Sequence, residues 1–260
     1  MPPRCLITVV TVASLLAASS LSAQPSGYAT RTRFELSLGP DRVHGRLELL
    51  EDARITPSMR QAIAESYGMD PCASTPLATA LEPLCRRGTR LPLRPALLRL
   101  LDASGRVLAT RQGERPLGEL TVARLYGSSR RTYLFTVDLN AGGGSYSGPL
   151  TRLAEPSGHT FGWVMAADSA GAADTLTLVS TLKSGWRAVP SASGRGEDLL
   201  QVRCRPDLSA PAASSQPVHF VVTFERYTFD GQQWQRRRRQ EPGCWEAEDS
   251  TSFPARGRFP

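Results

Sequence analysis

Short runs of alternating apolar residues, cut apart by turn formers, dominate the chain from Leu91 onward, and no crossover helix separates them. That pattern constrains the fold most. Parallel strands need connections of about a dozen residues or more, usually helical, whereas antiparallel neighbours need only a tight turn. Ala96 to Leu101 and Arg106 to Arg111 flank Asp102-Ala103-Ser104-Gly105, which supplies hairpin chemistry. Leu120 to Tyr126 and Arg131 to Leu139 read as two further strands, with Tyr133, Phe135 and Val137 on one face of the second. The spacing then predicts strands over Thr160 to Ala166, Thr175 to Leu182, Leu199 to Arg203, Val218 to Tyr227 and Trp234 to Arg239. The expected fold is mainly β: an antiparallel sandwich, a barrel or a propeller-like stack of sheets.

The N-terminal third differs. Residues 24–32 are polar and read as a tether; Phe34, Leu36 and Leu38 then alternate with polar residues. Gly39-Pro40-Asp41 makes a turn, and Val43, Leu47 and Leu49 resume the alternation, giving a hairpin. Next, Thr56 is a helix N-cap, Pro57 suits the first helical position, Met59, Ala62 and Ile63 follow at helical spacing, and Gly68 suits the exit. A second short helix is expected from Thr75-Pro76 to Pro83. With Cys72 and Cys85 around it, the segment at about 55–88 reads as a disulfide-clipped helical insertion.

The first 23 residues read as a secretory signal. Arg4 is their only charge, Leu6 to Ala18 is almost wholly apolar, and Leu21-Ser22-Ala23 precedes the expected cut before Gln24. Residues 24–260 are then one mature β-rich domain, periplasmic or secreted, with no transmembrane span. They hold four cysteines: Cys72, Cys85, Cys204 and Cys244. An even count in an exported chain favours disulfides. Three pairings are possible, and Cys72 with Cys85 and Cys204 with Cys244 are preferred because each pair lies within one structural unit.

The formal net charge is +7, and of 31 basic residues only Lys183 is lysine. A GC-rich coding sequence produces such an arginine excess without selection for phosphate recognition, so nucleic acid is disfavoured as a partner. The sharpest local feature is Arg236-Arg237-Arg238-Arg239. In a strand, Arg236 and Arg238 share one face, and Arg237 and Arg239 the other, so neither face buries comfortably. This end must overrun the core or form an edge. The simpler role is to keep sheets from associating edge to edge. The functional alternative is a patch for a polyanion such as lipopolysaccharide or an acidic glycan, with Trp234 and Tyr227 adding stacking or cation–π contacts.

Other candidates are weaker. In the loop from Asp138 to Gly148, Asp138 and Asn140 offer oxygens to a cation, but Gly142 has no ligand and Pro149 stands where a calcium loop needs glutamate. No metal and no cofactor are assigned; the loop reads as ligand-contacting, with Tyr146 as its large contact residue. Gly144-Ser145-Tyr146-Ser147-Gly148 has tyrosine where a nucleophile elbow has serine. His44, His159 and His219 show neither triad nor zinc spacing. Glu241, Glu246, Glu248 and Asp249 near Trp245 resemble a sugar site in composition but read more simply as a solvated acidic segment. Phe253 to Pro260, with two Phe-Pro pairs, reads as a strap whose rings plug a surface. The chain is thus expected to be an exported, non-catalytic binding or accessory protein of a bacterial-type cell envelope, engaging an anionic ligand or an envelope protein. The alternative is an envelope hydrolase whose active site assembles only in three dimensions.

Overall fold

The computed structural model describes residues 25–38, 43–65, 71–73, 76–85, 93–113, 115–123, 125, 132–137, 146, 148–157, 160–194, 196–207, 219–247 and 253–260. The fold is mainly β, and the sheets are stacked without closing into a barrel.

The first sheet is built from β1 (Tyr28–Leu38), β2 (Val43–Asp52), β3 (Leu97–Asp102) and β4 (Val107–Gln112), in that order and antiparallel throughout. The β3–β4 turn forms because Asp102 Oδ1 accepts from the Ser104 and Arg106 amides at 2.9 Å each, while Gly105 takes a positive φ of 86°. Residues 28–32, expected to be a tether, belong to β1 instead. No run of alternating apolar residues marks this stretch, and the register against β2 shifts between Thr30 and Thr32.

Between β2 and β3 lies the insertion. Helix α1 (Pro57–Ala64) starts where Thr56 Oγ1 accepts from the Met59 amide at 3.2 Å. It buries Met59 and Ile63 against Leu81 and Leu117. Arg60 reaches out of the helix to donate to the Gly118 carbonyl at 2.8 Å and pairs with Glu51 at 3.3 Å. The expected second helix is only a 3-10 turn, Thr79–Leu81, preceded by extended Ala78 and followed closely by Pro83. Cys72 and Cys85 clip the insertion, with Cα atoms 5.2 Å apart.

The second sheet comprises β5 (Gly118–Ala123), β6 (Thr132–Val137), β7 (Leu150–Ser157), β8 (Thr160–Trp163) and, beyond β9 (Met165–Ala167) and β10 (Ala173–Thr175), β11 (Thr177–Val179). Its main path runs β11-β7-β6-β5, with β8 also paired to β7. Strand periodicity sends adjacent residues to opposite faces. Leu120, Tyr133, Phe135, Ala154 and Phe161 therefore pack against Leu47, Leu49, Leu98 and Leu100 of the first sheet. Leu153, Leu134 and Leu178 point the other way. The middle sheet is covered on both faces. Where it approaches the first sheet closely, Gly118 leaves room: a Cβ there would lie 3.1 Å from both Leu49 and Phe135.

The third sheet holds β12 (Ser184–Pro190), β13 (Glu197–Pro206), β14 (Phe220–Phe229) and β15 (Trp234–Pro242), ordered β10-β9-β15-β14-β13-β12. All its pairs are antiparallel except β15 with β9, which run parallel over only Trp234–Ala166 and Gln235–Ala167. A second core, containing Leu199, Tyr227 and Trp234 with Leu153, Val164 and Leu176, fills the space between the second and third sheets.

Candidate functional site

The strands of the third sheet outrun the second core, and the side chains record where it ends. On the inner face, β13 carries Leu199, Gln201, Arg203 and Arg205 in succession, while β14 carries Tyr227, Glu225, Thr223 and Val221. β15 adds Trp234, Arg236, Arg238 and Gln240 on that face. Leu199, Tyr227 and Trp234 are core residues. Two positions further along each strand, the face becomes polar, and beyond that Arg205, Arg238 and Gln240 are exposed.

A buried hydrogen-bonded step marks the transition. Glu225 is only 4% exposed and accepts from Gln201 Nε2 at 2.9 Å and from the Tyr227 hydroxyl at 3.4 Å. Arg203 stands 3.6 Å from the same carboxylate. Gln201 ties this step to the middle sheet, accepting from the Val179 amide at 2.6 Å and donating to the Thr177 carbonyl at 3.4 Å. Burial, reinforced by the Glu225 charge, holds the Tyr227 phenol far above its ordinary range, so it stays a neutral donor.

The arginine tract lies on β15. Arg236 is half-buried and faces Asp168 at 3.7 Å; its Nε is enclosed without a hydrogen-bond partner among the described residues. Arg238 is exposed, opposite Glu225 in register. Arg237 and Arg239 project from the outer face, where Arg239 pairs with Glu241 at 2.9 Å and lies over the Phe224 ring at 5.8 Å. Among the described residues, no ion pair involves Arg237 or Arg238. Because β9 pairs only with the first two residues of β15, the edge of the strand from Arg236 to Pro242 has no neighbour among the described residues.

The other sequence candidates are distributed differently. Trp234 and Tyr227 are 2% and 3% exposed, their rings enclosed in the second core, so the accessible patch consists of guanidinium groups. Tyr146 is exposed, whereas Asp138 and Asn140 lie outside the described residues. Sequence reading did not single out Gln201, Arg203, Arg205 or Asp168. The polar residues at 201, 203 and 205, two apart and following Leu199, were the available sign that β13 leaves the core.

The outer face of the third sheet is closed by the C-terminal segment. Phe259 packs edge-on to Phe224 at 5.4 Å and stacks on Phe253 at 5.7 Å; Trp245 meets Phe253 at 6.1 Å. Arg187 lies 4.0 Å over the Phe253 ring. Ion pairs of Arg256 with Asp198 at 3.5 Å and Arg258 with Glu241 at 2.5 Å flank the rings. Cys204 and Cys244, Cα atoms 5.1 Å apart, fasten the start of this segment to β13. Trp245 is thus engaged structurally, Glu241 pairs with Arg239 and Arg258 and Glu246 with Lys183, while Glu248 and Asp249 lie outside the described residues. Searches of family models, characterised proteins and solved structures find no match to this chain.

Proposed function

We propose that this chain is an exported, non-catalytic binding protein of a bacterial-type cell envelope, periplasmic or secreted, whose arginine-bearing edge engages an anionic ligand or partner. The observation that carries the reading is that, among the described residues, the exposed Arg237 and Arg238 have no carboxylate partner and lie beside a strand edge with no paired strand. A cationic side chain that stabilises the fold normally finds an acidic neighbour, as Arg226 does with Asp198 at 2.7 Å. These two do not, and their field is available to a ligand. Two cysteine pairs at bonding distance are compatible with an oxidising compartment. No helix among the described residues is long and apolar enough to cross a membrane.

The test is binding of the purified exported protein to lipopolysaccharide and to a heparin fragment at low and moderate salt, beside Arg237→Gln/Arg238→Gln. These two positions are chosen over Arg236 because their loss breaks no ion pair among the described residues. Affinity should fall with salt and fall again in the variant. Counterion release also requires a shallower salt dependence, by up to about two in the logarithmic slope. Equal, weak binding by both proteins would reduce the arginines to edge protection.

A further inference from the structure

Resting on the anionic-ligand reading above, the geometry points to a definite partner chemistry: we propose that β15 is a docking edge for an extended acidic polypeptide segment, which adds to the third sheet as a strand beside Arg236–Pro242.

The backbone sets the first requirement. β15 is nine residues long, and β9 occupies its outer edge only at Trp234 and Gln235. Past Gln235 the edge runs for about 20 Å at ordinary strand rise. Along it, alternate residues direct their N–H and C=O groups away from β14. Such a row is a template for strand addition, in which main-chain bonds supply affinity and side chains supply choice.

The side chains set the second. Any strand beside this edge is flanked on one face by Arg236, Arg238 and Gln240, and on the other by Arg237, Arg239 and Glu241. Carboxylates on either face of the incoming strand meet guanidinium groups, and opposite charges across a strand pair stabilise it. Glu241, already held by Arg239 and Arg258, favours a neutral residue at the far end. A second copy of this chain is a poorer occupant by the same rule, since pairing β15 with itself sets arginines against arginines and offers only Glu241, already held by Arg239 and Arg258, as a carboxylate. The charges that disfavour self-association therefore also specify what is admitted.

The chain contains the first step of this arrangement. β9 pairs in parallel through Ala166 and Ala167. The next residue on its path is Asp168, and it faces Arg236 at 3.7 Å. There the path turns away: Asp168 Oδ1 accepts from the Ala170 and Ala172 amides at 2.9 and 3.0 Å, and the chain returns as β10 on the far side of β9. An acidic residue thus stands opposite the first arginine, and beyond it the track beside the remaining arginines is vacant among the described residues.

The test uses the whole exported protein and a peptide of about seven residues alternating glutamate and valine, sized to the edge. A second peptide carries the same charges but has alternate backbone amides N-methylated, and a heparin fragment gives a non-peptide polyanion. The expected result is peptide binding that weakens at least about tenfold on N-methylation, and comparably in Arg237→Gln/Arg238→Gln. Amide hydrogen exchange should slow along Arg236–Glu241 on peptide addition and stay unchanged with heparin. Equal binding of both peptides, or peptide binding without protection of β15, overturns strand addition while leaving the anionic-ligand reading intact. Heparin binding without peptide binding does the same. Failure of all three probes to bind overturns both.

Discussion

Removing the Cys204–Cys244 link by Cys204→Ala with Cys244→Ala tests how the third sheet is held together. The two residues are 40 apart in sequence. In the chain-entropy treatment, a closed loop of that length restricts the unfolded chain by about 4 kcal/mol. Alanine is the appropriate replacement, because Cys204 is fully buried and serine would leave a hydroxyl without a partner. The void left by the sulfur adds up to about 1 kcal/mol. The link also has a local effect, since it fixes the first residue of the segment that covers Phe224. Urea unfolding should therefore show a loss of about 4–5 kcal/mol, and exchange of the Phe259 amide should accelerate more than that of residues in β2. A loss below about 1 kcal/mol, or uniform acceleration across all three sheets, would refute the claim that this link fastens the C-terminal segment to β13.

Two further outcomes follow from single side chains. Asp52 is buried, which pushes its pKa up, but hydrogen bonds from the Arg54 side chain, the Arg94 amide and the Arg54 amide outweigh this and hold it at about 2. A depressed carboxylate stabilises the fold above its unfolded value near 4 and loses that contribution as pH falls toward 2, a change of about 2 kcal/mol. Asp52→Asn should flatten the stability profile within that window, as measured by urea midpoints at successive pH values; an unchanged slope would contradict it. Phe259→Ala removes a ring that is 5% exposed and contacts both Phe224 and Phe253. The expected cost is about 3 kcal/mol, with increased dye binding to the uncovered outer face, whereas a change below about 1 kcal/mol would mean the segment covers nothing that needs covering.

What could be read from the sequence was mostly local. Hairpins with their own turn chemistry, such as β3–β4, were legible, as was the Thr56 cap, because each depends on residues close together, and the preferred cysteine pairs followed from an even count with each pair inside one structural unit. β7 and β12 were not foreseen. β7 is buried on both faces, so Leu153 and Ala154 are both core residues and alternation disappears. β12 carries Gly185, whose missing side chain admits Trp245 to within 2.8 Å of where a Cβ would be, and glycine weakens any strand signal. The stacking itself was invisible for a related reason: alternation says that a residue is buried, not against which sheet. Trp234 and Tyr227 illustrate the consequence at the site. Their position beside the arginines was readable, but their enclosure depends on Leu153 and Val164, which are remote in sequence.

The third sheet has two faces to cover and, at β15 beyond Gln235, an interior strand edge with no paired strand among the described residues. Its outer face is apolar at Leu200, Val202, Val222 and Phe224, and the C-terminal rings cover it without strand pairing. Its inner face is apolar only as far as the second core reaches, then passes through the Glu225 network to solvent. Beyond Gln235 the backbone of β15 is paired with β14 on one side only among the described residues, and side-chain packing on a face cannot pair the other side. Like charges directly opposite one another are destabilising, so the arginine tract disfavours edge-to-edge pairing with a second copy. In the strand-addition proposal, the strand that buries this edge brings its own negative charge, so the arginine tract and the open edge act as one feature.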